Sequence, residues 1–94
     1  MGRVAETIRT KLEARFAPAR IELEDESARH AGHAGARAGG ETHFRLVIVA
    51  PAFAGLGRVA RQRLVHACLA EELADRVHAL SITALAPGDP PPAP

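Results

Sequence analysis

The sequence predicts an α+β domain in the order α-β-β-α-β, with three strands in a mixed sheet and both helices on one face. Three observations predict it. Apolar residues recur at steps of four over 4–16 and at helical spacing over 58–74. They alternate with polar residues over 20–26, 41–50 and 77–84. The chain has 94 residues, 47% hydrophobic and 24% charged, which suits one small globular domain.

Val4, Ile8, Leu12 and Phe16 form a narrow apolar stripe, Ala5 widens it, and Glu6, Thr10 and Glu13 lie opposite. Pro18 stops this helix, because it has no amide hydrogen to continue the ladder. In 20–26, Ile21 and Leu23 oppose Glu22 and Glu24, as in a half-buried strand. Residues 27–40 hold Ala, Gly, His and Arg without a period and read as a loop, well beyond the usual 2–5 residues of a hairpin. It is expected to be mobile alone and to order on a partner, which makes it the first functional suspect.

The segment ETHFRLVIVA is the strongest strand, with Phe44, Leu46 and Ile48 on one face and His43, Arg45, Val47 and Val49 on the other. Two largely apolar faces suit a central strand. Pro51 ends it, and Phe53 docks on the core from the turn that follows. Leu64, Val65, Cys68, Leu69 and Leu73 mark one long helix over 58–74. Arg61 and Glu72 fall within its stripe and are expected to reach water at its two ends. In the third strand His78, Leu80 and Ile82 share a face.

Strands one and two are then antiparallel across the long loop. Strands two and three, joined by a helix, are parallel with a right-handed crossover. This arrangement is like the class II K-homology fold. The domain is taken as 1–86, followed over 87–94 by a Pro-rich disordered tail with four Pro in its last five positions.

Composition excludes several functions. Three aromatic residues are too few for a base-stacking nucleic-acid module. No apolar run approaches the ~20 residues of a membrane span, so no membrane association is expected. One cysteine, Cys68, excludes an internal disulfide and any CxxC metal site, and a cytoplasmic, reducing location is the default. Cys68 repeats with Leu64 and reads as a small core residue. No nucleophile triad, phosphate loop or paired-carboxylate cleft is present, so no enzyme is expected.

The formal charge of +1 hides a pattern: residues 42–70 have no Asp or Glu but carry Arg45, Arg58, Arg61 and Arg63. These four are the candidate anion or nucleic-acid contacts, against the alternative of a solvated helix face. Five histidines are many for this length, and imidazole is a good iron ligand. His78 reads either as a packed strand histidine or as a ligand. His30 and His33 in the loop read as ligands or as exposed side chains. His43 is read as making a structural hydrogen bond, and His66 as a surface residue.

Several stretches together closely resemble the BolA family of small stress-response proteins. They are Asp25-Glu26-Ser27, His30-Ala31-Gly32-His33, Gly40-Glu41-Thr42-His43-Phe44, Phe53-Ala54-Gly55, Arg61-Gln62-Arg63-Leu64-Val65 and Val77-His78-Ala79-Leu80-Ser81-Ile82. The resemblance runs from about residue 8 to residue 87. Gln62 departs from the family's usual Arg-His-Arg. The resemblance implies a partnership with a monothiol glutaredoxin, sharing a glutathione-bound [2Fe–2S] cluster in iron–sulfur and iron homeostasis and the stress response. It implies metal ligation by His78 with His30 or His33. DNA binding with transcription regulation is the alternative it implies. A [2Fe–2S] centre needs four ligands, mostly thiolates. One helix cysteine cannot supply them, so no cofactor is expected in the isolated chain, as a monomer or weak homodimer. A partner must bring thiolates.

Overall fold

The computed structural model describes residues 2–27 and 41–90. Helix α1 spans Arg3–Phe16, strand β1 Arg20–Asp25 and strand β2 His43–Val49. A 3-10 turn at Pro51–Phe53 leads to helix α2, Arg58–Cys68, then to the short helix α3, Ala70–Ala74, and strand β3, Ala79–Leu85. The sheet order is β1-β2-β3, with β1–β2 antiparallel and β2–β3 parallel, as the α+β reading requires. His30, His33 and the rest of the long loop lie outside the described residues, as do the last four residues of the tail.

The core lies between the helices and one face of the sheet. Ile8, Leu12 and Phe16 of α1 meet Phe44, Leu46 and Ile48 of β2, with Val65 and Leu69 from the second helical segment. Phe53 is fully buried, its ring centroid 5.0 Å from that of Phe16. That contact explains the 3-10 turn: Pro51 ends β2, and the turn swings one aromatic ring back over α1.

Four expectations need correction. The helix expected over 58–74 breaks at Leu69, whose φ of −109° and ψ of 20° leave the helical basin. The ladder nonetheless runs on, through Leu69 N–H to Val65 O and Leu73 N–H to Leu69 O. Arg61 and Glu72 do not reach into water. Their side chains are only 16% and 12% exposed, and each is paired, Arg61 with Asp89 and Glu72 with Lys11. A stripe position that tolerates a charge does so here by supplying a counter-charge, not solvent.

The third correction concerns the tail. Its first residues fold into a turn, in which Ala86 N–H donates to Asp89 Oδ2 and Asp89 N–H to Ala86 O. Asp89 then holds Arg61 at 2.8 Å, so ordered structure continues past residue 86. The amide of Ala86 and the Arg61 guanidinium hold the Asp89 carboxyl below its ordinary value.

The fourth concerns the start of β3. Simple alternation puts His78 on the core face with Leu80, but Val77 is buried and His78 is exposed. Both His78 N–H (2.7 Å) and Ala79 N–H (3.2 Å) donate to Thr42 O. Two consecutive amides on one carbonyl make a bulge-like entry, which shifts the alternation by one residue.

Candidate functional site

The site is built where the long loop leaves and rejoins the sheet. Asp25 ends β1. Its Oδ1 accepts Ser27 N–H at 2.9 Å, an Asx turn, and its Oδ2 accepts Glu41 N–H at 3.1 Å. Ser27 Oγ accepts Thr42 N–H at 2.9 Å and His43 N–H at 3.3 Å. One carboxylate and one hydroxyl therefore clip together residues 25–27 and 41–43. Glu41 has φ +61°, a left-handed value that costs a non-glycine residue about 1–2 kcal/mol. Its carboxylate anchors it by accepting Ala5 N–H at 2.9 Å at the start of α1, where the helix dipole favours an anion.

This clip was not legible in sequence. In sequence Glu24-Asp25-Glu26 is only an acidic run at a strand end, whereas Asp25 holds the loop ends and Glu24 pairs with Arg45 at 2.9 Å. The Asp25-x-Ser27 spacing is the one local signal for it, because an Asx turn needs that offset.

Burial opposes ionisation of Asp25, but the hydrogen bonds from Ser27 and Glu41, with the nearby His43 imidazole, prevail and lower its pKa. A carboxyl depressed in the folded state stabilises fully above the unfolded value, about pH 4, and loses that effect as pH falls through the folded value. The stability difference between wild type and Asp25→Asn is therefore expected to shrink between pH 6 and pH 3. Urea midpoints at both pH values check this, and an unchanged difference would remove Asp25 from the acid response.

Thr42 O, which receives His78 N–H, lies on the same clip. His78 is thus held by its backbone next to the loop's return point, with its side chain exposed. No hydrogen bond or ion pair engages its ring among the described residues. Its ring centroid is 6.3 Å from that of His43, whose Nδ1 is 2.8 Å from Thr42 Oγ1. The hydrogen bond read for His43 is therefore present. Among the described residues no three His, Cys, Asp or Glu side chains gather to hold a metal. An exposed imidazole with uncommitted nitrogens fits one ligand position of a shared cluster, with the others supplied from outside the described residues or by a partner. Cys68 is not near this set: its Sγ lies 3.5 Å from Lys11 O, and burial raises its pKa.

The four arginines do not form one surface. Arg45 pairs with Glu24 on the open sheet face, and its Nε is 3.9 Å from Glu26. Arg61 turns inward, donating to Leu56 O, Ala84 O and Asp89 Oδ2. Gln62 donates to Ile82 O at 2.9 Å, so two neighbouring side chains of α2 cover carbonyls on the edge of β3. These contacts line a groove of about 500 Å³ beside Arg58. Arg58 and Arg63 are exposed on α2, with no ion pair among the described residues.

Comparison with known proteins agrees with this architecture. The profile of the BolA-like protein family matches residues 12–89. The chain is 49% identical over 87 residues to "BolA-like protein 1" of Homo sapiens, covering 93% of this chain and 61% of that protein. It is 48% identical over 86 residues to "SufE-like protein 1, chloroplastic/mitochondrial" of Arabidopsis thaliana, covering 87% of this chain and 23% of that protein. The chain thus spans about three fifths of the length of the BolA-like relatives it matches, and less of the SufE-like one. Among solved structures, the BolA domain of SufE1 from Arabidopsis thaliana superposes with a TM-score of 0.83 at 46% identity, covering 93% of this chain and 95% of that one. BolA1 from Arabidopsis thaliana gives 0.82 at 37% identity, covering 97% and 100%. A family match across most of the chain, on the same α+β framework, makes this chain a member of the BolA-like protein family.

Proposed function

We propose that the chain is a non-enzymatic partner of a monothiol glutaredoxin and shares with it a glutathione-bound [2Fe–2S] cluster. The observation that carries this reading is His78, an exposed imidazole fixed by its own amide to the clip that closes the long loop. A loop starting at Ser27 and ending at Glu41 leaves and returns beside it. His30 or His33 from that loop is proposed as the second histidine ligand. The cluster, when bound, supplies iron–sulfur redox or transfer chemistry. The chain's own residues supply one or two nitrogens and a binding surface, while thiolates come from the glutaredoxin cysteine and glutathione.

The outward arginines have a role in this reading. Arg58 and Arg63 add positive charge to α2 and steer an anionic partner, which raises the association rate. Arg61 is unsuitable as a probe, since changing it would strip Asp89 and two carbonyls of their donor. The double variant Arg58→Glu/Arg63→Glu is expected to slow complex formation about tenfold or more at low salt and to leave the cluster's absorption spectrum unchanged. Stopped-flow mixing with a glutaredoxin at two salt concentrations tests this. Unchanged rates would remove the arginines from the interface. Tight, sequence-selective DNA binding by the wild type, with no glutaredoxin complex, would favour the transcriptional alternative.

A further inference from the structure

Strand β3 lies at an edge of the sheet and lacks the usual edge defences in its own sequence. The order β1-β2-β3 leaves one side of it without a neighbouring strand. Its residues, Ala79–Leu85, read ALSITAL, with no charge, no Pro and no Gly. A short uncharged segment of that kind pairs readily with a strand of another chain, because its outward amides and carbonyls offer a template. The opposite edge differs. Strand β1 reads RIELED, and its own charges at Arg20, Glu22, Glu24 and Asp25 oppose such pairing.

The exposed backbone groups of β3 follow from the ladder. Within a strand the N–H and C=O of one residue point to the same side, and the side alternates along the chain. Leu85 O accepts the N–H of Ala50, which follows β2, so Leu85, Thr83 and Ser81 turn toward β2. Ile82 and Ala84 therefore turn toward the free edge. Both of their carbonyls are occupied. Gln62 Nε2 donates to Ile82 O at 2.9 Å, and Arg61 Nη1 to Ala84 O at 3.0 Å. An incoming strand needs those two acceptors and would have to displace both side chains. Arg61 is held in place further by Leu56 O and Asp89 Oδ2.

We propose that Gln62 and Arg61 close the β3 edge against pairing with a second copy of this chain. Helix α2 thus supplies the defence that the strand's own sequence lacks. The Gln62 carboxamide makes no other hydrogen bond among the described residues, so the edge is what it serves. Where the sequence departs from the family's usual Arg-His-Arg, it keeps an N–H donor, and one that does not titrate. The inference is independent of the cluster reading and concerns the isolated chain.

Sedimentation equilibrium over a concentration series, combined with amide hydrogen exchange, tests it. The wild type is expected to exchange the Ile82 and Ala84 amides rapidly at every concentration. Gln62→Ala is expected to stay folded, to rise toward twice the wild-type mass with concentration, and to exchange those two amides more slowly as it does. Gln62→Met keeps the length of the side chain, lacks the donor and is expected to behave the same way, so a folding defect in one variant does not decide the result. Val59→Ala, on the exposed side of α2, is expected to match the wild type. Gln62→Ala and Gln62→Met that both keep the wild-type mass would overturn the proposal. So would association that leaves the two amides exchanging as in the wild type, or a wild type already protected at both.

Discussion

Phe53→Ala is expected to cost about 3–5 kcal/mol, the range for emptying a large buried aromatic site. Phe53 is fully buried and packs on Phe16 at a centroid distance of 5.0 Å. It is carried by a short turn rather than a strand, yet it closes the core between α1 and the end of β2. Small domains have only roughly 5–15 kcal/mol of total stability, so much of it depends on this ring. Val59, at 62% exposed, is the matched control. Val59→Ala on α2 is expected to stay within about 0.5 kcal/mol. Urea unfolding of both variants checks the contrast. A small loss at Phe53 would mean that the Phe16 side of the core repacks around the gap.

The second large effect is chemical. His78→Ala is expected to abolish or strongly change the visible spectrum of the glutaredoxin complex. The apo fold should hold, because the side chain is exposed and makes no hydrogen bond among the described residues. Its structural contribution, the hydrogen bond from its backbone N–H to Thr42 O, belongs to the backbone and survives the substitution. Visible circular dichroism of the complex and urea unfolding of the free variant separate the two effects. An unchanged spectrum in both His78→Ala and a His30/His33 double variant would remove histidine ligation from the account.

The strands and α1 were legible because their signal is periodic and local. Ile8, Leu12 and Phe16 are buried as their spacing requires, and so are Phe44, Leu46 and Ile48. The misread features depend on contacts between distant segments. Arg61 and Glu72 look misplaced on an apolar stripe until Asp89 and Lys11 are brought to them across the fold. The phase of His78 depends on a carbonyl of Thr42, 36 residues earlier. The Asp25–Ser27–Thr42 clip joins the ends of a loop whose interior carries no period. Local propensity contains no information about such closures. His78 is singled out as a candidate ligand by the family resemblance and not by its spacing, since alternation alone places it in the core.

The central claim is that this chain contributes histidine nitrogen to a cluster that a glutaredoxin and glutathione complete. Native mass spectrometry of the two proteins, co-expressed and purified under anaerobic conditions, tests it most directly. The expected species contains one copy of each protein, glutathione, and two irons with two sulfides. A heterocomplex without iron, or a cluster found only on a glutaredoxin dimer with this chain unbound, would contradict it.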